Sequence, residues 1–250
     1  MFRTVFVWSC IVLLGLIFGI FAILSYPFDP KGRLGHHCAR IWGKLCLLAN
    51  GVRLKLEGLE NLRKEGPYIF MVNHQGSYDI FSILGYLPFQ FKWLAKKELF
   101  SIPVLGWGMT AVGYISIDRA GTRETVEAMN RAARKIRDGM SVVIFPEGSR
   151  SPDGSIHPFK KGGFTLAIKS KVPIVPMAIA GSGEIISKGK MTVNPGDIRI
   201  RIGRPIETEN CSMKDRISLM ERVREAISGE FRMISGAPEE QQAVSSDRQA

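Results

Sequence analysis

At 250 residues, with 45% hydrophobic and 23% charged side chains, the chain has the means for a folded core: one sizeable α/β domain or two small ones. The formal net charge of +11 favours anionic partners, namely phosphorylated ligands, an anionic membrane face or nucleic acid. Its four cysteines, Cys10, Cys38, Cys46 and Cys211, stand apart with no C-x-x-C spacing, so neither a zinc site nor a disulfide framework is signalled and a reducing compartment fits.

In chain order, the first feature is the nearly unbroken apolar run Val5 to Leu24, with Ser9 and Cys10 its most polar members. About 20 such residues are enough to span a bilayer core. No small-x-small cleavage site precedes Ser25-Tyr26-Pro27, and the run is longer than the usual apolar region of a signal peptide, so a retained anchor is expected. Pro27 and Pro30 then break the helix. From Arg33 to Asn50, Leu34, Cys38, Ile41, Trp42 and Leu45 recur at helical spacing with basic residues between them, which suits either headgroup level or an ordinary amphipathic helix packed on the domain. His36 and His37 point apart on such a helix and are expected at the interface. Basic residues are denser after the apolar run than before it, which by the positive-inside tendency puts the domain in the cytoplasm, at the inner face of the cell membrane. Residues 1–50 are therefore read as membrane-anchoring and interfacial helices, 51–234 as a globular α/β domain, and 235–250 as a disordered tail without apolar periodicity.

Within the domain, Val52–Glu57 alternates apolar and polar residues as a half-exposed strand. Further strands are expected at Pro67–Val72, Phe91–Ala95, Val112–Ile117, Ser141–Phe145, Pro173–Ala180 and Asp197–Ile202. Helices are expected after Asp79, over Thr122–Asp138, over Gly163–Ser170 and over Met213–Met233. Strands alternating with helices imply an α/β fold, a mixed, mostly parallel central sheet flanked by helices and preceded by the N-terminal helical segment.

The turn Asn73-His74-Gln75-Gly76-Ser77-Tyr78-Asp79 joins a strand to a helix. His is the side chain best suited to proton transfer near neutral pH, and an acid beside it fixes its tautomer. On one continuous helix residues five apart point about 140° from each other, so His74 meets Asp79 only if His74 ends the strand and Asp79 opens the helix, with Ser77 as its cap. The residues alone leave two readings, a catalytic pair or a polar loop with a surface His. Two more strand-end turns carry charge, Gly113 to Arg119 and Phe145-Pro146-Glu147-Gly148-Ser149-Arg150, and Lys96-Lys97 and Lys160-Lys161 follow other strands. Ligands of α/β sheets gather at such ends, Arg grips phosphate with two parallel hydrogen bonds, and Gly148 lets the backbone come close. The chain contains no G-x-S-x-G, P-loop or dinucleotide fingerprint. A His–Asp pair without a protein nucleophile suits direct attack by a substrate hydroxyl.

Together these stretches resemble the 1-acylglycerol-3-phosphate O-acyltransferases of the glycerolipid acyltransferase family. The N-H-x-x-x-x-D block is similar to Asn73-His74 to Asp79, the second block to Gly113–Arg119, F-P-E-G-[ST]-R to Phe145–Arg150, and V-P-[IV]-[IV]-P to Val172–Pro176. A Lys-x-Glu-Leu between the first two is similar to Lys96–Leu99, and the blocks run in family order across about 100 residues. One position departs: the family often has Ser directly after the Gln, where this chain has Gly76. The resemblance implies acyl transfer from acyl-CoA or acyl-acyl carrier protein to the 2-hydroxyl of lysophosphatidic acid, giving phosphatidic acid. Glycerol-3-phosphate or a lysophospholipid is the alternative acceptor, and a non-enzymatic basic membrane-binding protein the distant alternative. His74 is then the general base and Asp79 its orienter. Lys96, Lys97, Arg119, Glu147, Gly148 and Arg150 are the substrate-binding candidates. No metal, no cofactor beyond the thioester co-substrate and no nucleic acid are implied; the bilayer is the expected partner.

Overall fold

The computed structural model describes residues 2–63, 66–117, 123–151, 153–186 and 191–236. Helices α1 (Phe2–Ser25) and α2 (Arg33–Ala49) form an antiparallel hairpin. The guanidinium of Arg3 donates to the Asn50 carbonyl at 2.6 Å, and Trp42 Nε1 donates to the Ile11 carbonyl at 3.2 Å. One stripe of α1 (Val7, Ile11 and Ala22) is buried, while Val5, Phe6, Val12, Leu13, Leu16, Ile17, Ile20 and Phe21 are exposed. The 3.6-residue period thus gives this all-apolar helix one docked face and one bare face.

The domain follows as β1 (Val52–Glu57), β2 (Ile69–Val72), α3 (Tyr78–Tyr86), β3 (Phe91–Lys96), α4 (Leu105–Val112), β4 (Ile115–Ile117), α5 (Arg123–Arg137), β5 (Ser141–Ile144), α6 (Lys161–Ser170), β6 (Ile174–Ala180), α7 (Ser182–Ile185), β7 (Gly196–Ile202) and α8 (Arg216–Ser235). The seven strands lie in the order β1-β7-β6-β2-β5-β3-β4, and every pairing is parallel except β6 with β7. The mixed, mostly parallel sheet is the one the alternation of elements implies. Both faces are covered, which is why β2, β5 and β6 are buried at every position and, Ser141 apart, apolar rather than alternating. Phe70 and Val72 pack with α2 and α3 side chains on one face; Ile69 and Met71 pack with α5, α6 and α8 on the other. Because β2, β3, β4, β5 and β6 run the same way, their C-terminal ends share one edge of the sheet.

Several local expectations change. Val112 closes α4, and β4 starts only at Ile115. The short helix α7 had no sequence signal. Ser235 belongs to α8 and Gly236 caps it, while 237–250 of the expected tail lie outside the described residues. The hairpin also packs on the domain: Val7, Ile11, Cys46 and Leu47 are members of the main core cluster. His36 is not interfacial. It is fully buried, edge-on to Phe91 with centroids 4.6 Å apart, and burial, reinforced by the charge of Lys92, pushes its pKa down to about 3. Lys92 itself sends its ammonium from β3 to the carbonyls of Lys31 (2.9 Å), Gly32 (3.3 Å) and Val112 (2.6 Å), tying the hairpin turn and the end of α4 to the sheet. Burial lowers its pKa to about 8.

Candidate active site

Where β2 ends, Asn73 takes over its neighbour's backbone partners. Its Oδ1 accepts from the Ile179 amide at 2.8 Å and its Nδ2 donates to the Ile179 carbonyl at 2.9 Å. A side-chain amide standing in for a strand residue lets the main chain leave the sheet at Asn73 without orphaning β6. His74 is the first residue free of the ladder. Asp79 sits in the first turn of α3, where the exposed amides of a helix start favour a carboxylate.

The two side chains meet. His74 Nδ1 lies 2.7 Å from Asp79 Oδ2, and that oxygen also accepts the amides of Gln75 (2.8 Å) and Gly76 (3.0 Å). Asp79 is fully buried, and the His74 side chain is 14% exposed. A carboxylate only accepts, so Nδ1 carries the proton and Nε2 presents its lone pair. Among the described residues Nε2 has no hydrogen-bond partner, so it is available to a ligand. The ring lies 3.9 Å from that of Phe145 at 15°, and Phe145 stacks in turn on Trp93 at 5.4 Å.

A second carboxylate holds the main chain around the pair. Glu147 is buried; its Oε1 accepts from the His74 amide at 2.8 Å and its Oε2 from the His157 amide at 3.0 Å. Burial raises its pKa, against those two amide bonds. The Ser151 amide donates to the His74 carbonyl at 2.7 Å, and Gln75 Nε2 to the Gly154 carbonyl at 3.1 Å. Asp153 Oδ1 gathers Ser151 Oγ, the Ser155 amide and hydroxyl, and His157 Nε2, which hold its carboxyl well below the usual range. The loop after β5 and the turn after β2 are therefore one hydrogen-bonded unit.

This geometry stands beside similarity to known enzymes. The acyltransferase family profile matches residues 53–180. The 1-acyl-sn-glycerol-3-phosphate acyltransferase of Saccharomyces cerevisiae is 33% identical over 226 residues, covering 88% of this chain and 74% of the yeast protein. The chain belongs to the 1-acyl-sn-glycerol-3-phosphate acyltransferase family. The chloroplastic relatives BAT2 of Brassica napus (34% identical over 91% of this chain) and LPAT1 of Arabidopsis thaliana (36% over 75%) are longer, and the aligned chain spans 64% and 54% of them. The crystal structure of the 1-acyl-sn-glycerophosphate (LPA) acyltransferase PlsC from Thermotoga maritima matches with a TM-score of 0.80 at 26% identity, covering 95% of this chain and 97% of that one.

The remaining candidates of this acyltransferase-family chain divide by position. Arg150 is exposed beside the turn, its Nη1 donating to Ser77 Oγ at 2.7 Å. Ser77 therefore does not cap α3, which has no side-chain cap. Gly148 has φ 74°, a left-handed conformation that favours glycine at the tight turn behind Phe145. Lys96 and Lys97 are exposed at the C-terminal end of β3, on the sheet edge that carries His74. Arg119 lies outside the described residues. Glu147, expected at the substrate, has both oxygens engaged by backbone amides, one bond to each oxygen. Gly76 has a steric reason: a Cβ there would lie 2.6 Å from the Ser182 carbonyl oxygen. Sequence reasoning gave no role to Asn73, Ser151, Asp153 or the Phe145–Trp93 stack. Among the described residues no group of three or more His, Cys, Asp or Glu side chains is placed to hold a metal ion.

Proposed function

We propose that this chain transfers a fatty acyl group from an acyl thioester, carried by CoA or acyl carrier protein, to the 2-hydroxyl of 1-acylglycerol-3-phosphate, giving phosphatidic acid for phospholipid synthesis. The observation that carries the reading is the 2.7 Å His74–Asp79 contact at a strand end, in a chain whose relatives are named for this reaction. The acceptor hydroxyl attacks the thioester carbonyl carbon as His74 Nε2 takes its proton. The C–S bond breaks, and the proton passes from the imidazolium to the departing thiolate. Asp79 holds the ring and stabilises its cationic form. A general base contributes about 10²–10⁴-fold, so alignment of the two substrates and stabilisation of the oxyanion supply the rest. Arg150, Lys96, Lys97 and Arg119 are the acceptor-phosphate ligands of this reading.

The acceptor is a lipid, and the reading places the enzyme on the cytoplasmic face of the cell membrane. Helix α1 is long and apolar enough to cross a bilayer by length and composition. Its docking supports a different posture. Its first turns are bonded to Asn50 and, through Trp8, to Met191, while near its other end a Cβ on Gly19 would meet Val104 Cγ1 at 3.1 Å and one on Gly35 would meet Ala22 Cβ at 3.4 Å. Both ends rest on one globular body, so the helix lies side-on in one leaflet with its bare apolar face toward the acyl chains.

Purified protein supplied with acyl-CoA or acyl-acyl carrier protein is expected to release thiol only when 1-acylglycerol-3-phosphate is added. Equal release with and without it, or release only with glycerol-3-phosphate, refutes the assignment.

A further inference from the structure

The segment between β3 and the end of α4 turns apolar side chains outward. Leu99, Ile102, Leu105 and Trp107 are all exposed, Trp107 at 61%. The backbone is held in this shape against local preference. Val104, a β-branched residue, has φ 62°, a conformation that persists only where its surroundings impose it. Gly106 lies so close to the Phe100 carbonyl that no side chain fits there. The amides of Leu105 and Gly106 donate to the carbonyls of Pro103 and Ile102 at 2.7 Å each.

The inner side of this segment is docked on α1. A Cβ on Gly19 would meet Val104 Cγ1 at 3.1 Å, and one on Gly108 would meet Gly19 Cα at 3.5 Å. The patch therefore adjoins the helix whose outer face is bare and apolar. Its flanks are basic: Lys96 is exposed at one end, and Lys31 and Arg33 are exposed at the hairpin turn, next to Val112. Glu98 is the one acidic residue from Lys96 to Val112. The segment starts at the C-terminal end of β3, on the sheet edge that carries His74.

We propose that Leu99–Trp107 is a second bilayer-contacting element that inserts Ile102, Leu105 and Trp107 beside α1, with Lys96, Lys31 and Arg33 against anionic headgroups. Apolar tips ringed by cations match the acyl–headgroup boundary, where Trp is enriched, and a free protein surface seldom keeps such a patch. Two contacts, α1 and this segment, fix how the protein sits. The catalytic edge faces the lipid, and a lysolipid headgroup reaches His74 without leaving the interface. The inference rests on the membrane posture proposed above.

The test uses the full chain with vesicles of phosphatidylcholine and phosphatidylglycerol bearing brominated acyl chains. Bromine is expected to quench wild-type tryptophan emission, and Trp107→Phe to remove a distinct share of that quenching. The double variant Ile102→Glu/Leu105→Glu is expected to lower vesicle partitioning about 10-fold or more. It should lower turnover of vesicle-borne acceptor in parallel, while turnover of a short-chain, water-soluble acceptor stays at the wild-type level. Wild-type protein that ignores vesicles altogether refutes the membrane posture itself. Protein that binds vesicles with unquenched Trp107, and a double variant that partitions like wild type, overturn this inference alone. A concentration-dependent dimer that shields Trp107 without lipid, and that Leu105→Glu breaks, overturns it in favour of a second copy of the chain.

Discussion

Asp79 Oδ2 lies 2.7 Å from His74 Nδ1 and accepts the amides of Gln75 and Gly76 as well, so one buried oxygen fixes both the ring and the turn that carries it. The proton on Nδ1 and the free lone pair on Nε2 follow from that single contact. So does a distinction between two substitutions at the same position.

Asp79→Asn keeps an acceptor oxygen for the turn but removes the charge that stabilises imidazolium. Its kcat is expected to fall about 10²–10⁴-fold with the donor KM little changed. Asp79→Ala also orphans two amides, and its melting temperature falls in addition. Steady-state thiol release and thermal melting separate the two effects. Wild-type kcat in Asp79→Asn removes Asp79 from the mechanism, and wild-type kcat in His74→Ala removes the mechanism.

Arg150 is exposed, and among the described residues its guanidinium bonds to one hydroxyl of the turn, which leaves donors for a phosphate. Arg150→Ala is expected to raise the acceptor KM about 10- to 100-fold, the worth of a charge-assisted pair, and to leave the donor KM unchanged. An unaltered acceptor KM moves the phosphate elsewhere on the edge.

Glu147 binds two backbone amides at once, and an amide side chain cannot serve both. Glu147→Gln turns an N–H toward the His157 N–H, with an expected loss of about 1.5–3 kcal/mol of stability. Because the His74 amide is the other partner, kcat falls with it. Protein that melts like wild type but loses acceptor affinity makes Glu147 a ligand rather than a brace.

Gly76 faces the Ser182 carbonyl, which belongs to main chain and cannot swing aside. Gly76→Ala is expected to destabilise by about 1–3 kcal/mol and to lower kcat by shifting Gln75 and His74. Gly76→Ser is expected to act in the same direction. Full activity in either variant shows that α7 can yield.

His36 makes stability depend on acidity. At pH 7 its ring is neutral in both folded and unfolded chains. Below pH 6.5 the unfolded chain takes up a proton that the buried ring refuses until about pH 3, so stability falls across that window as pH falls. His36→Phe keeps a ring against Phe91 and is expected to flatten the melting-temperature profile between those values. A profile as steep as wild type assigns the acid loss to other groups.

Most of the elements were legible because periodicity reports burial directly. Continuous apolar runs became β2, β5 and β6, and the Arg33–Asn50 pattern became α2 almost to the residue. Where the pattern failed, tertiary contact had overruled it. His36 carries the same polar signal as exposed His37, yet the sheet face at Phe91 takes it in. Ser77 has the side chain of a cap, but Arg150, 73 residues away, claims its hydroxyl.

The sequence by itself determined the chemistry present at the site: a lone His after a strand, an acid five positions on, and Arg and Lys at neighbouring strand ends. These are local facts, fixed by which residue types flank which apolar runs. Only the tertiary structure decided which main-chain groups the second carboxylate binds and what α1 packs against. Glu147 acts as a brace because the parallel pairing of β2 with β5 sets the turn after one strand beside the turn after the other. An apolar helix of 24 residues reads as a span by length alone, and packing adds that both its ends contact one body. Length and composition measure what a helix can cross; the contacts along it show which of its faces is docked.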